Sequence, residues 1–225
     1  MLIPEVWIGS AIVLLIIGSL FKRIPPQVFY GFAMGVVLIE ILLLGLHWPT
    51  TPYSLLGGMM RHDDFSSFFR VLAGIGVLLT LLIDHKRDRP ADYYLLILSV
   101  LIGANFLVMS MNLVMVVLSL ELISIPSYVL ASGWDADAMD DRKKRAEASW
   151  KYFLFGSAST ALMIFGMSYL FGFTGTLDFA SPDFATAIET EHSPLLLVGA
   201  LLTLAGFLFK VAGVPFHFWA PDVYQ

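Results

Sequence analysis

Asn112-LVMVVLSLELISIPSYVL-Ala131 and Leu195-LLVGALLTLAGFLFKVAGVPFHFW-Ala220 are the two stretches that decide how this 225-residue chain reads. Each is a long apolar run with one ionisable side chain deep inside it, Glu121 in the first and Lys210 in the second. About 20 apolar residues are what an α-helix needs to cross roughly 30 Å of hydrocarbon. A charge near the middle of such a span costs about 2.5–3.5 kcal/mol on insertion scales, so an acid on one span and a base on another point to an ion or proton path. The expected fold class is all-α, a polytopic membrane helix bundle.

Composition agrees with that class. The chain is 58% hydrophobic and 14% charged, where a soluble domain carries about a quarter charged residues. Mean hydropathy is +0.80. There is no cysteine, which excludes disulfides, thiolate-bound iron–sulfur clusters and cysteine-attached haem within the chain. The first apolar run follows an acidic start (Glu5) with no small-residue cleavage site after it. A first span or signal anchor fits that better than a cleaved signal peptide.

Working outward from the two quoted stretches, seven segments reach spanning length, at about 5–21, 28–46, 66–83, 93–109, 112–131, 147–172 and 195–220. The first three fill 1–91 and the rest 92–225, in a single membrane domain. The fourth and fifth are separated only by Ser110, Met111 and Asn112, a tight antiparallel hairpin. If the spans alternate, Lys22, Arg23, Lys86, Arg87, Arg89, Arg142, Lys143, Lys144 and Arg145 all fall on one side, nine of the thirteen basic residues. The opposite loops hold Arg61, with Arg70 near the membrane edge, and the acids Asp63, Asp64, Asp178, Asp183, Glu189 and Glu191. The positive-inside rule then puts the N-terminus outside and the basic loops in the cytoplasm. The second loop, from Trp48-Pro49 to Arg61, reads as irregular coil. In the sixth, Ser181-Pro182-Asp183 predicts a short interfacial helix, a surface brace without chemistry.

The last segment is longer than one span needs, and Gly213-Val214-Pro215 interrupts it just after Lys210. Proline removes a helical hydrogen bond. Breaks at membrane depth are tolerated where they line a cavity or are buried in protein, and transporters place them at ion sites. The chain stops at Gln225, just past this unit, as if cut off.

Glu121 is expected roughly 15 Å from the inner end of its helix. It is either a switchable proton site or a protonated acid bonded to a helix backbone or to Ser119 or Ser124. Lys210 is either a lysine that exchanges protons at depth or one that snorkels to the interface. Apolar turns before it and the break after it favour the first reading. Lys151 divides evenly between a site and an ordinary i,i+4 pair with Glu147. His217 is a relay or a hydrogen-bonded structural histidine. Glu40 lies nearer the outer end of its helix and is expected to reach the interface. Trp7, Trp48 and Trp219 suit interfacial belts or packing, and Met109, Met111 and Met115 suit packing. No phosphate-binding loop, dinucleotide fingerprint, metal-ligand cluster or nucleophile triad occurs.

Glu121 within LELISIPSYVLAS, Lys151 within AEASWKYFLFGSASTALMIFG, the segment Leu170-FGFTGTL and above all Phe209-KVAGVPFHFWAPDVYQ resemble the antiporter-like membrane subunits of respiratory complex I. The specific motifs cover about 112–225. The resemblance implies two inverted five-helix repeats, each with one broken helix, of which this chain holds most of the first. It implies that Glu121, Lys151 and Lys210 belong to a hydrophilic axis and raises Lys151 to a site, with His217 a relay beside the break. It implies no cofactor in this chain. NAD, FMN, iron–sulfur clusters and quinone are expected in partner subunits, and the partners are the other membrane subunits, the lipid bilayer and, through the complex, the quinone pool, with no nucleic acid. The expected place is a bacterial inner membrane. The rival readings are a subunit of a multisubunit cation/proton antiporter and a structural fragment that moves no ions.

Overall fold

The computed structural model describes residues 2–21, 24–84, 89–133 and 139–224. Lys22, Arg23, Lys86 and Arg87, which carry part of the expected cytoplasmic charge, lie outside the described residues, as does Gln225. Helices α1 (Ile3–Ser19), α2 (Pro26–Leu46), α3 (Asp64–Ile83), α4 (Ala91–Met109), α5 (Leu113–Ala131), α6 (Met139–Thr174), α7 (Pro182–Thr190), α8 (Pro194–Lys210) and α9 (Ala220–Tyr224) follow one another along the chain. Among the described residues five of them, α2 to α6, are long and apolar enough to cross a membrane, while α1 and α8 are apolar helices of 17 residues. These seven elements stand where seven spans are expected.

The helix starts follow local chemistry. Asp63 caps α3 by accepting from the Ser66 amide at 2.9 Å, and the Ser66 hydroxyl returns the bond to the Asp63 amide. Asn112 caps α5 through the Val114 amide at 2.9 Å. Ser181 caps α7 through the Phe184 amide at 3.2 Å, with Pro182 at the first helical position, so the expected short helix is present. Prolines also open α1, α2 and α8, where the missing amide has no helical partner to lose.

Two expectations need correction. The second loop is not irregular: β1 (Tyr53–Leu55) pairs antiparallel with β2 (Met60–His62), Tyr53 opposite His62. Leu56, Gly57 and Gly58 carry the turn at positive φ, a backbone that glycine adopts without strain. The fifth loop is shorter than expected because α6 runs for 36 residues, roughly 54 Å at 1.5 Å per residue. Arg142, Lys143, Lys144 and Arg145 therefore sit on its first turns.

The chain divides into two compact units. The first comprises residues 1–110 and 119–127: α1 to α4, the hairpin and the middle of α5. Gly103 lets α4 approach α5 closely; a Cβ there would meet the Ile123 amide at 3.0 Å. The second comprises residues 111–118 and 128–225: the ends of α5 with α6 to α9. It centres on α6 against α8, where added Cβ atoms at Gly166 and Gly206 would stand 2.6 Å from the Gly199 carbonyl and 2.9 Å from the Ser159 carbonyl. Small residues at such crossings let backbones touch, the usual way helices associate in lipid. Large apolar side chains such as Leu38, Leu79, Ile164 and Leu201 are more than half exposed, while Glu40, Arg70 and Asn105 are buried. Apolar residues outside and polar ones inside fit a hydrocarbon solvent.

Candidate functional site

The site is built on the break after α8. That helix ends at Lys210; Ala212 turns back at φ 52, and Val214–Pro215 is a cis peptide. The last carbonyls of the helix are taken by the turn itself. The Val211 amide donates to Phe207 O at 3.2 Å, Gly213 to Leu208 O at 2.7 Å and Ala212 to Phe209 O at 3.1 Å. The Trp219 indole adds a bond to Phe209 O at 3.2 Å. Trp219 is buried and stacks on Tyr152 with centroids 4.2 Å apart and 5° between planes. The indole and the turn amides thus fold the residues after Lys210 back against α6.

Lys210 is half-buried and its amine points inward. Nζ donates to the Tyr128 hydroxyl at 3.4 Å and stands 5.9 Å from the ring centroid. Tyr128, at the C-terminal end of α5, is buried between Tyr152 and Phe153, at centroid distances of 4.5 and 5.8 Å. Gly156 makes its room: any Cβ there would collide with the Tyr128 hydroxyl. Ser149 of α6 donates to the Tyr128 carbonyl at 2.7 Å and holds the helix end in place. A phenol can accept from an ammonium and donate elsewhere, so the pair is a hydrogen-bonded step that a proton can use.

Lys151 lies on α6 among acids. Its Nζ is 2.8 Å from Glu147, the expected i,i+4 pair, and 3.0 Å from Asp222 of α9. Its side chain is 43% exposed. The pair borders an open cleft of about 880 Å³ lined by Asp141, Lys144, Arg145, Glu147, Lys151 and Asp222. His217 is exposed in the turn between α8 and α9. Glu121 is half-buried on the part of α5 that belongs to the first unit. Lys210 and Lys151 thus share the second unit with Tyr128, Asp222 and His217.

The sequence reading did not single out Tyr128 or Asp222. Tyrosine among apolar residues carries no charge signal, and Asp222 gains its meaning only when the break returns α9 to α6. The reading also misplaced Glu40 of the first unit. Glu40 does not reach an interface: it is fully buried and accepts from the Asn105 side-chain Nδ2 at 2.7 Å. Arg70, expected near the membrane edge, turns its side chain into the protein. It is buried, pairs with Glu5, and its Nη1 meets His62 Nδ1 at 2.9 Å. A guanidinium can only donate, so Nδ1 accepts and His62 is neutral. Burial and the Arg70 charge together hold the His62 imidazole below its ordinary value. Arg89 also turns inward, pairing with Asp84 at 3.1 Å and lying 5.1 Å from the Tyr93 ring centroid. Among the described residues no group of three or more His, Cys, Asp or Glu is placed to hold a metal.

Residues 110–225 match the family described as NADH:quinone oxidoreductase/Mrp antiporter, TM. The chain is 36% identical to NADH-quinone oxidoreductase subunit N of Anoxybacillus flavithermus, over all of this chain and 46% of that protein. It is 32% identical to subunit N of Rhodospirillum rubrum, over 99% of this chain and again 46% of that protein. The chain thus spans about half the length of these curated relatives. Among solved structures it resembles a chain of respiratory complex I from Thermus thermophilus with bound aureothin (TM-score 0.81, 30% identity, covering 99% of this chain and 47% of that one). A chain of the Mrp complex from Dietzia sp. shares the fold at TM-score 0.76 and 18% identity, covering 100% of this chain and 44% of that one. With its mostly helical membrane architecture and its broken helix after Lys210, the chain belongs to the NADH:quinone oxidoreductase/Mrp antiporter transmembrane family.

Proposed function

We propose that this chain is the N-terminal part of a proton-translocating membrane-arm subunit of NADH-quinone oxidoreductase, akin to subunit N, and a translocase component of that complex. In this reading residues 92–225 hold most of the first antiporter-like repeat. Redox chemistry with NAD, FMN, iron–sulfur clusters and quinone belongs to partner subunits. The complex sits in a bacterial inner membrane, with the N-terminus of this chain outside. The observation that carries the reading is the Lys210 amine resting on the buried Tyr128 hydroxyl at a helix break, in a chain of this family.

Mechanistically, Lys210 holds and passes a proton, and Tyr128 gives its amine a polar partner at depth. Lys151, bridged to Glu147 and Asp222, lines the charged cleft, and Glu121 is the acid of the path. His217, exposed beside the break, relays protons to or from that turn. A charge change in a neighbouring subunit shifts the populations of these protonation states through differential interaction with them. The test is Lys210→Ala in the full-length protein within its complex, with proton pumping and quinone reduction measured together. Pumping is expected to collapse; undiminished pumping would take Lys210 out of the path.

A further inference from the structure

The first unit contains a buried polar cluster that the path above leaves unused. Glu5 of α1, Glu40 of α2, Ser67 and Arg70 of α3, His62 of β2 and Asn105 of α4 are all at most 4% exposed. Arg70 commits Nη1 to His62 and Nη2 to Glu5. Glu40 accepts from Asn105 with one carboxyl oxygen. Its other oxygen lies against α3 at Gly74, one turn beyond Arg70, where an added Cβ would meet it at 3.7 Å. From the three helices packed on α2, the charged groups that act on Glu40 are Glu5 of α1 and Arg70 of α3, while α4 presents the Asn105 carboxamide.

Two counts of this cluster ask for the same missing particle. Glu5 and Arg70 cancel in charge, so an ionised Glu40 leaves one uncompensated negative charge away from water, a costly arrangement. Hydrogen bonds give the second count. Glu5 Oε2, Glu40 Oε2, Asn105 Oδ1, Ser67 Oγ and Arg70 Nε have no partner among the described residues. With both acids ionised, the first three can only accept, Arg70 Nε can only donate, and the hydroxyl can do either. One proton on Glu40 turns an acceptor into a donor, which evens donors with acceptors and removes the excess charge.

We propose that Glu40 is a proton-binding site of the first unit, occupied at neutral pH, and that Arg70 responds to its occupancy. When the proton leaves, Glu40 becomes a second carboxylate competing with Glu5 for the guanidinium. Proton occupancy and the α1–α3 ion pair then shift together. The site does not depend on Lys210, and its readout below is independent of pumping.

The test is infrared difference spectroscopy on the complex carrying the full-length protein, at neutral pH in H₂O and D₂O. Glu40→Gln, an isostere of the protonated acid, is expected to remove one deuterium-sensitive carboxylic-acid C=O band. Asn105→Leu is expected to move that band, because its hydrogen-bond donor is gone. Glu5→Gln is expected to abolish it at the same pH, since Arg70 then turns to Glu40 and stabilises the ionised form. Loss of carboxylate bands instead in Glu40→Gln would overturn the proposal. So would a wild-type Glu40 signal that follows sodium concentration rather than pH, which would make the ligand a metal cation. A band that persists in Glu5→Gln would overturn the role given to Arg70.

Discussion

The two units of this chain handle charge in opposite ways. In the first, Glu5, Glu40, His62 and Arg70 are sealed among four helices and partner one another or Asn105. In the second, Lys210 is half-buried against a phenol, and Lys151 bridges Glu147 and Asp222 at an open cleft. Sealed charges hold a particular arrangement of helices, because breaking one pair strands its partner. Charges at a helix break and a cleft can change partners at lower cost. The difference separates a unit whose charges are sealed in ion pairs from one whose lysines lie at a helix break and an open cleft.

The sharpest way to break that contrast is Arg70→Met. It strands the Glu5 carboxylate, and removing one partner of a buried pair costs about 3–5 kcal/mol. Thermal unfolding of the full-length protein in detergent should show the loss, and Arg70→Met with Glu5→Leu should recover most of it. A neutral single variant would mean the first unit is not organised by charge. Next comes Gly206→Val, whose side chain meets the Ser159 carbonyl and Met163 of α6. Overpacking of this kind costs about 1–3 kcal/mol, and the same melting experiment reads it in the second unit.

Tyr128→Phe deletes the hydroxyl that accepts from the Lys210 amine and should cost about 1 kcal/mol of stability, with a larger proportional loss of proton pumping. An acid titration sharpens the first unit further. His62 is held neutral by burial and by Arg70, so the unfolded chain binds its proton more readily than the folded one. Its contribution is complete above the ordinary histidine value of about 6.5 and is lost as pH falls below it. His62→Gln should flatten that slope in unfolding measured against pH. The smallest effect is expected at Lys151→Gln, where the exposed bridges leave the melting temperature unchanged. Any fall in pumping without a fall in stability would then belong to its proposed role.

Much of the architecture was legible because hydrocarbon imposes one rule on every span: about 20 apolar residues, with polar interruptions at their ends. Ser181-Pro182 and Ser110–Asn112 announced a short helix and a hairpin through capping and turn chemistry alone. The site was half legible. Lys210 stood out as a charge deep in an apolar run, and its break was written in Gly213 and Pro215. Tyr128 stayed hidden because its importance lies in a neighbour 82 residues away. Glu40 was misread for a similar reason. Position along one helix suggests a route to the interface, whereas burial is decided by what the other helices bring alongside. The β1–β2 hairpin escaped because its strands are only three residues each, too short for an alternating pattern to register.

The glycine contacts between α6 and α8 have a mechanical corollary. At Gly166, Gly199 and Gly206 the space a Cβ would need is already taken by backbone and side-chain atoms of the facing helix, which leaves little room for sliding or tilting. The two helices form a stiff spar, and the root of Lys210 is fixed at its tip. Whatever travel its ammonium makes comes from its own four-carbon arm or from the hairpinned stretch that follows.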